Sequence, residues 1–260
     1  DTGVQALVQK VPKSIRELKL NLGGCGRLTD SAMAAIADAL PSSIEILTLG
    51  FELCELVGNR GIVAIGSHLP KTVQSLRIDL MGCHGLSDSG VGTFGKGLPM
   101  SLQSLDMRCG GCSDITDSGV LALASCLPRE LQSLSLTLHG TGVTPIGAAT
   151  LAAYLPLHIK HLVFEFDDVD GCRHTVQSVQ ELRQWQAANP DVKPLQPAFV
   201  QSVSTRASLA SGLASQSTLR QAQSRQAHVR QNQHASTSRA AMEHGAAPRL
   251  ASATHLAAPK

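Results

Sequence analysis

The chain has 260 residues, 43% of them apolar but only 3% aromatic, and a formal net charge of +2. Such a length allows a sizeable core, which this composition makes aliphatic, while the near-balanced charge points to neither a nucleic-acid nor a membrane partner, and no stretch approaches the ~18 apolar residues of a membrane span. The charge is uneven, however: residues 1–190 carry net −4 and residues 191–260 net +6, which predicts two regions with different roles.

Residues 1–11 (DTGVQALVQKV) align with the stretch that begins Asp117-Ser118-Gly119-Val120 and read as the helical half of a repeat already under way. Upstream repeats are therefore expected, and the bare end around Val4, Leu7 and Val8 is expected to self-associate. The start has neither an initiator Met nor the basic, apolar and small-residue order of a signal peptide.

Proline then marks a period. Pro12, Pro41, Pro70, Pro99, Pro128 and Pro156 are separated by 29, 29, 29, 29 and 28 residues. A period of this size is the signature of a repeat architecture. Each unit changes its own hydrophobic period halfway along. In the fourth, Leu102, Leu105, Met107 and Cys109 are apolar while Asp106 and Arg108 are polar, the alternation of a strand. Val120, Leu123, Ala124 and Leu127 follow at the spacing of one helical face. Between the halves stand Thr29-Asp30, Ser87-Asp88, Thr116-Asp117 and Thr144-Pro145, hydroxyl caps that can accept a helix N–H, with Gly58-Asn59 as a weaker equivalent. A solenoid over 1–189 is predicted, with a partial repeat at 1–11, repeats from 12, 41, 70, 99 and 128, and a degenerate capping unit at 156–189. That unit keeps a strand (Ile159, Leu162, Phe164, Phe166) and is expected to end in a helix at about 174–188, with Val176, Val179, Leu182 and Trp185 on one side. From 190 to 260, Ser, Ala, Gln, Arg and His dominate and periodicity vanishes. This stretch reads as a disordered basic tail, with a nucleic-acid or acidic-partner tether as the functional alternative.

At the residues L-x-x-L-x-L-x-L, then Cys in four of the units, then an L-T-D-x-G-like stretch, the chain resembles the leucine-rich-repeat family, specifically its ribonuclease-inhibitor-like and cysteine-containing subtypes. The resemblance implies an α/β horseshoe solenoid with a parallel sheet on the concave face and helices on the convex face. It also implies that the concave sheet holds a protein partner, the chain acting as scaffold, inhibitor or recognition subunit rather than as an enzyme.

Cys25, Cys54, Cys83 and Cys112 recur every 29 residues. They should form a line along the solenoid rather than converge on a metal, and are expected to be reduced, buried thiols packing as small hydrophobes. Unpaired thiols favour a reducing compartment, cytoplasmic or nuclear. The segment GVGTFGKG (90–97) mimics a phosphate-binding loop but aligns with the helical half of a repeat. Asp167-Asp168-Val169-Asp170-Gly171 fails the calcium-loop spacing, which needs an acid at 166 and Glu at 177, where Phe166 and Gln177 stand. The set His158, His161, Cys172 and His174 fits no zinc pattern. No cofactor, metal or small-molecule substrate is expected.

Strand alternation assigns the side chains of the hollow. Arg77 should lie beside Asp106 and Asp79 beside Arg108, a checkerboard of charge at mid-sheet, with Lys19, Glu52, His139 and Glu165 towards its edges. These eight residues form the candidate partner-binding site, with Arg77 and Arg108 as its best anchors, since Arg is enriched at binding hot spots. A GTPase-activating accessory role is a further alternative.

Overall fold

The computed structural model describes residues 1–168 and 170–197. Strand and helix alternate through it. The strands are β1 (Glu17–Asn21), β2 (Ile46–Gly50), β3 (Ser75–Asp79), β4 (Ser104–Arg108), β5 (Ser133–Thr137), β6 (His161–Asp167) and β7 (Arg173–Val176). The helices are α1 (Thr2–Val8), α2 (Asp30–Ala39), α3 (Asn59–His68), α4 (Asp88–Lys96), α5 (Asp117–Ala124), α6 (Pro145–Tyr154) and α7 (Val179–Ala188).

The strands form one sheet in chain order, and β1 to β6 are parallel. The repeat length sets the register directly: Leu18, Leu47, Leu76, Leu105, Leu134 and Leu162 stand in one row. Strand side chains alternate between faces, so this row, the row of Leu49, Ile78, Met107, Leu136 and Phe164, and the row of Phe51, Leu80, Cys109, Leu138 and Phe166 all turn towards the helices and, but for the partly buried Leu18, are buried in one continuous core. Each helix packs on the next in chain order. The arrangement is an α/β leucine-rich-repeat solenoid, as the resemblance implies. GVGTFGKG lies within α4 and its C-cap. There Gly97 sits so close to the Gly66 carbonyl that a Cβ would come within 2.2 Å of it, so this glycine serves close helix approach.

The helix starts carry more than the sequence suggested. Thr29, Thr116 and Thr144 do cap their helices, each hydroxyl accepting the N–H two residues on. Each cap is in turn held by the acid of the preceding repeat. The Asp88 carboxylate accepts from Thr116 N–H at 2.6 Å and Thr116 Oγ1 at 2.7 Å. Asp117 does the same to Thr144 at 2.8 and 2.7 Å, and Asp1 to Thr29. Asp30 accepts from Gly58 N–H, and Asn59 accepts from Ser87 N–H while donating to its hydroxyl. A polar seam thus ties repeat to repeat. It explains the glycine of the T-D-x-G motif, because a Cβ on Gly119 would meet the Asp88 carboxylate at 2.5 Å.

Two expectations need correction. Val4 and Val8 are not a bare end: both are buried against the following repeat, and only Leu7 of the three is exposed. The capping unit does not pass straight into a helix at 174 either. Arg173–Val176 form β7, antiparallel to β6, and α7 begins only at Val179. The reversal is built locally. Gly171 adopts φ +78, and the Asp168 carboxylate accepts the N–H groups of Asp170 and Cys172 and contacts His174 Nε2 at 2.9 Å. His174 stacks on Phe166, which also packs against Phe164 and, edge-on, against Trp185. A carboxylate so supplied with donors is favoured in its charged form, and the His174 contact leads in holding Asp168 below the usual carboxylate range. Ser178 accepts from Glu181 N–H while Glu181 accepts from Gln177 N–H, a reciprocal cap that starts α7. Beyond it, Leu195 N–H donates to Thr150 Oγ1 of α6 at 2.9 Å, so 190–197, the start of the expected tail, lies against the solenoid. Residues 198–260 of that tail lie outside the described residues.

Candidate functional site

The side of the sheet opposite the helices is polar because strand alternation leaves it so. Its centre is the pair β3 and β4, whose register sets Arg77 opposite Asp106 and Asp79 opposite Arg108. Both couples close as ion pairs, Arg77 Nη1 to Asp106 Oδ2 at 3.3 Å and Arg108 Nη1 to Asp79 Oδ2 at 3.1 Å. They are not equivalent. The Asp79 side chain is only 12% exposed; its second oxygen accepts Met81 N–H, so this carboxylate is both covered and fully bonded. The Arg77 side chain is 49% exposed and meets Asp106 at one point. Asp106 Oδ1 is buried and has no hydrogen-bond donor among the described residues.

The remaining candidates surround this centre without joining it. Lys19 pairs with Glu17 on its own strand. Glu52 arches over Gly23, and the His139 ring lies over Gly110, where a Cβ would collide with either side chain. His139 Nδ1 is buried and, like Asp106 Oδ1, has no partner among the described residues. Glu165 stands opposite Thr137 on β6 and forms no ion pair among the described residues. Between Asp106 and Glu165 runs a strand of hydroxyls: Ser135 lies opposite Asp106, and the buried Thr137 lies opposite Arg108. Two apolar side chains, Ile46 and Val163, are partly exposed on the same face.

The cysteine line is structural. Cys54, Cys83 and Cys112 are buried, and each thiol donates to a carbonyl 32 residues earlier, at Leu22, Phe51 and Leu80, with Sγ–O distances of 3.1–3.3 Å. These carbonyls belong to the point where the chain leaves the sheet, so the thiol supplies a weak donor there. Cys25 departs from the expectation of burial and is exposed. Cys109, on the inward row rather than in the 29-residue line, is a further buried thiol that the count by repeat passed over. Burial pushes Cys83 to about 12 and Cys112 to about 11, and Cys109 is raised well above the ordinary value for the same reason. The thiolate is the reactive form. A maleimide reagent added to the native protein is therefore expected to modify Cys25 and Cys172 first, leaving Cys54, Cys83, Cys109 and Cys112 untouched until unfolding. Peptide mass mapping over time checks this, and early labelling of Cys83 would contradict it.

No three His, Cys, Asp or Glu side chains gather to hold a metal ion among the described residues. Of the imagined zinc set, His161 faces outward on β6 and His174 is engaged with Asp168 and Phe166. Among the described residues no helix is long and apolar enough to cross a membrane.

No family model matches the chain, and no curated protein matches it. Among solved structures it is similar to the leucine-rich repeat-containing protein LegL7 from Legionella pneumophila, with 19% identity and a TM-score of 0.43 over 61% of this chain. The chain spans about half (50%) of that protein's length. The fold is that of a leucine-rich-repeat protein. The in-register rows and the 29-residue unit carry that statement by themselves.

Proposed function

We propose that the polar side of the sheet is a protein-binding surface centred on β3 to β5, and that the chain works as a scaffold, inhibitor or recognition subunit. The observation that carries this reading is the buried Asp106 Oδ1 without a donor, next to a half-exposed guanidinium. A buried polar atom left unpaired costs about 1–3 kcal/mol, so one in mid-sheet calls for an explanation. A Lys, Arg or N–H donor of a partner would complete Asp106, and Arg77 could then turn one edge to a partner carboxylate, for which its planar fork is suited. The hydroxyls of Ser133 and Ser135 offer either hydrogen-bond role beside it. Glu52, His139, Glu165 and Lys19 would form the rim. A reducing compartment, cytoplasm or nucleus, suits the free thiols.

The test is capture of partners from lysate under reducing conditions by wild type, Arg77→Glu and Asp106→Asn. Arg77 and Asp106 are the exposed couple, so both variants are expected to fold. A partner held by wild type and lost by both variants supports the reading. A partner held equally by all three, and lost only when residues 198–260 are removed, would move function to that segment.

A further inference from the structure

The turn leaving β2 breaks the pattern of its neighbours. In four repeats the second residue after the last inward side chain is a glycine with positive φ: Gly24, Gly82, Gly111 and Gly140, at +73, +72, +81 and +66. In the second repeat this position is Leu53, at φ +58, the one non-glycine residue in that region among the described residues. A Cβ there crowds the following carbonyl, so an L side chain is strained where glycine is not. Leu53 gains no core packing in exchange. It is 63% exposed, as is Leu56 at 59%, and its Cδ2 leans over Gly82, filling the space where a Cβ would stand. The flanking turns are rich in glycine (Gly23, Gly24 and Gly26 on one side, Gly82 and Gly85 on the other), while the second repeat carries two exposed leucines at its own turn. Glu52 and Glu55 are exposed beside them. Neither is in an ion pair among the described residues; Arg27 and His84, in the neighbouring turns, stay beyond ion-pair distance of both.

We propose that the turn Phe51–Val57 is a second docking site, bordering the sheet face and sharing Glu52 with its rim: an apolar knob, Leu53 with Leu56, flanked by the carboxylates of Glu52 and Glu55. Its partner is a protein segment with an apolar patch bordered by Lys or Arg. The strain is retained because a glycine here would fit the backbone and lose the knob, the exchange of stability for function that interaction sites make. Two unpaired carboxylates beside the leucines select against an acidic or uncharged rim on the partner.

Fluorescence anisotropy tests this with three labelled synthetic peptides of about 18 residues, roughly five helical turns. The first has a Leu face bordered by Lys, the second the same Leu face bordered by Glu, and the third Ser in place of every Leu. The full chain is expected to bind the Leu/Lys peptide and to bind the other two at least about tenfold more weakly, since burying two Leu side chains exceeds the free energy of a tenfold change. Leu53→Gly/Leu56→Ser should weaken the Leu/Lys peptide at least about tenfold, while Leu53→Gly alone raises Tm by about 2–4 °C. Arg77→Glu should leave this binding unchanged, so failure of the sheet-face reading and failure of this one are told apart. Absence of binding by wild type, equal binding of the Leu/Glu peptide, unchanged binding by the double variant, or loss in Arg77→Glu would each overturn the proposal. A lower Tm in Leu53→Gly would overturn its strain argument.

Discussion

Asp117→Ala is expected to destabilise the solenoid by about 2–3 kcal/mol through the repeat that follows it. Removal of its carboxylate leaves Thr144 N–H and Thr144 Oγ1 without their acceptor at the start of α6, and an orphaned, part-buried donor costs most of its desolvation free energy. Thr144 Oγ1 is also the acceptor that caps α6 at Ile146 N–H, so the same loss loosens the helix start. Asp117→Asn should instead be nearly neutral or stabilising. Asn59 already shows why: it accepts Ser87 N–H at 2.9 Å and donates to Ser87 Oγ at 2.8 Å, the geometry an Asn at 117 would adopt towards Thr144.

The two variants separate further by pH. Burial raises the Asp117 carboxyl above its ordinary value, against the lowering effect of the Thr144 hydrogen bonds, and Asp88 adds to the rise. A carboxyl whose folded pKa is raised contributes stability that is full below its unfolded pKa and lost as pH rises through the folded one. The stability difference between Asp117→Asn and wild type should therefore grow in favour of Asn as pH rises through the acidic range, then level off. Urea denaturation of both proteins from about pH 3 to pH 7 measures this, the remaining carboxylates cancelling in the difference. A difference that shrinks with rising pH would contradict the burial argument.

The second large effect concerns the two ion pairs on the sheet. Arg108→Glu is expected to cost about 2–4 kcal/mol, because it leaves the covered Asp79 carboxylate without its counter-charge and adds a like charge beside it. Arg77→Glu, in the exposed couple, should cost about 1 kcal/mol or less. Asp79→Asn should recover much of the Arg108→Glu loss, since it removes the buried charge and keeps an acceptor for Met81 N–H. Chemical denaturation of the three variants and the double variant decides it. Equal costs for Arg77→Glu and Arg108→Glu would mean that Asp79 is better solvated than its 12% exposure implies.

The same contrast shows what the sequence made legible. A strict 29-residue period and two-residue alternation were enough to place Arg77 beside Asp106 and Asp79 beside Arg108, because a parallel ladder between equal repeats admits one register. Alternation says which face a side chain takes but nothing of depth, so the burial of Asp79 and the open oxygen of Asp106 emerged only from the packed neighbours. β7 was hidden for a related reason: Val176, Val179 and Leu182 fall at helical spacing, and four residues of strand are too few to outvote them. The seam of Asp on Thr was written in the T-D-x-G motif, whose Thr reads as a local cap. Its Asp acts one repeat ahead, a distance no single-helix signal spans. Leu53 could have been found by setting the repeats in columns, where among the five repeats before the capping unit it alone replaces a glycine.

Mapping a captured partner tests the central claim, that the sheet face binds protein, most directly. With the partner recovered by wild type, hydroxyl-radical footprinting of free and bound chain should show protection concentrated on the outward side chains of β3 to β5, including Arg77, Ser135 and Arg108. The helices α2 to α6 should remain unchanged. Protection confined to the helix side of the solenoid, with Arg77 and Ser135 as reactive in the complex as in the free chain, would contradict the account.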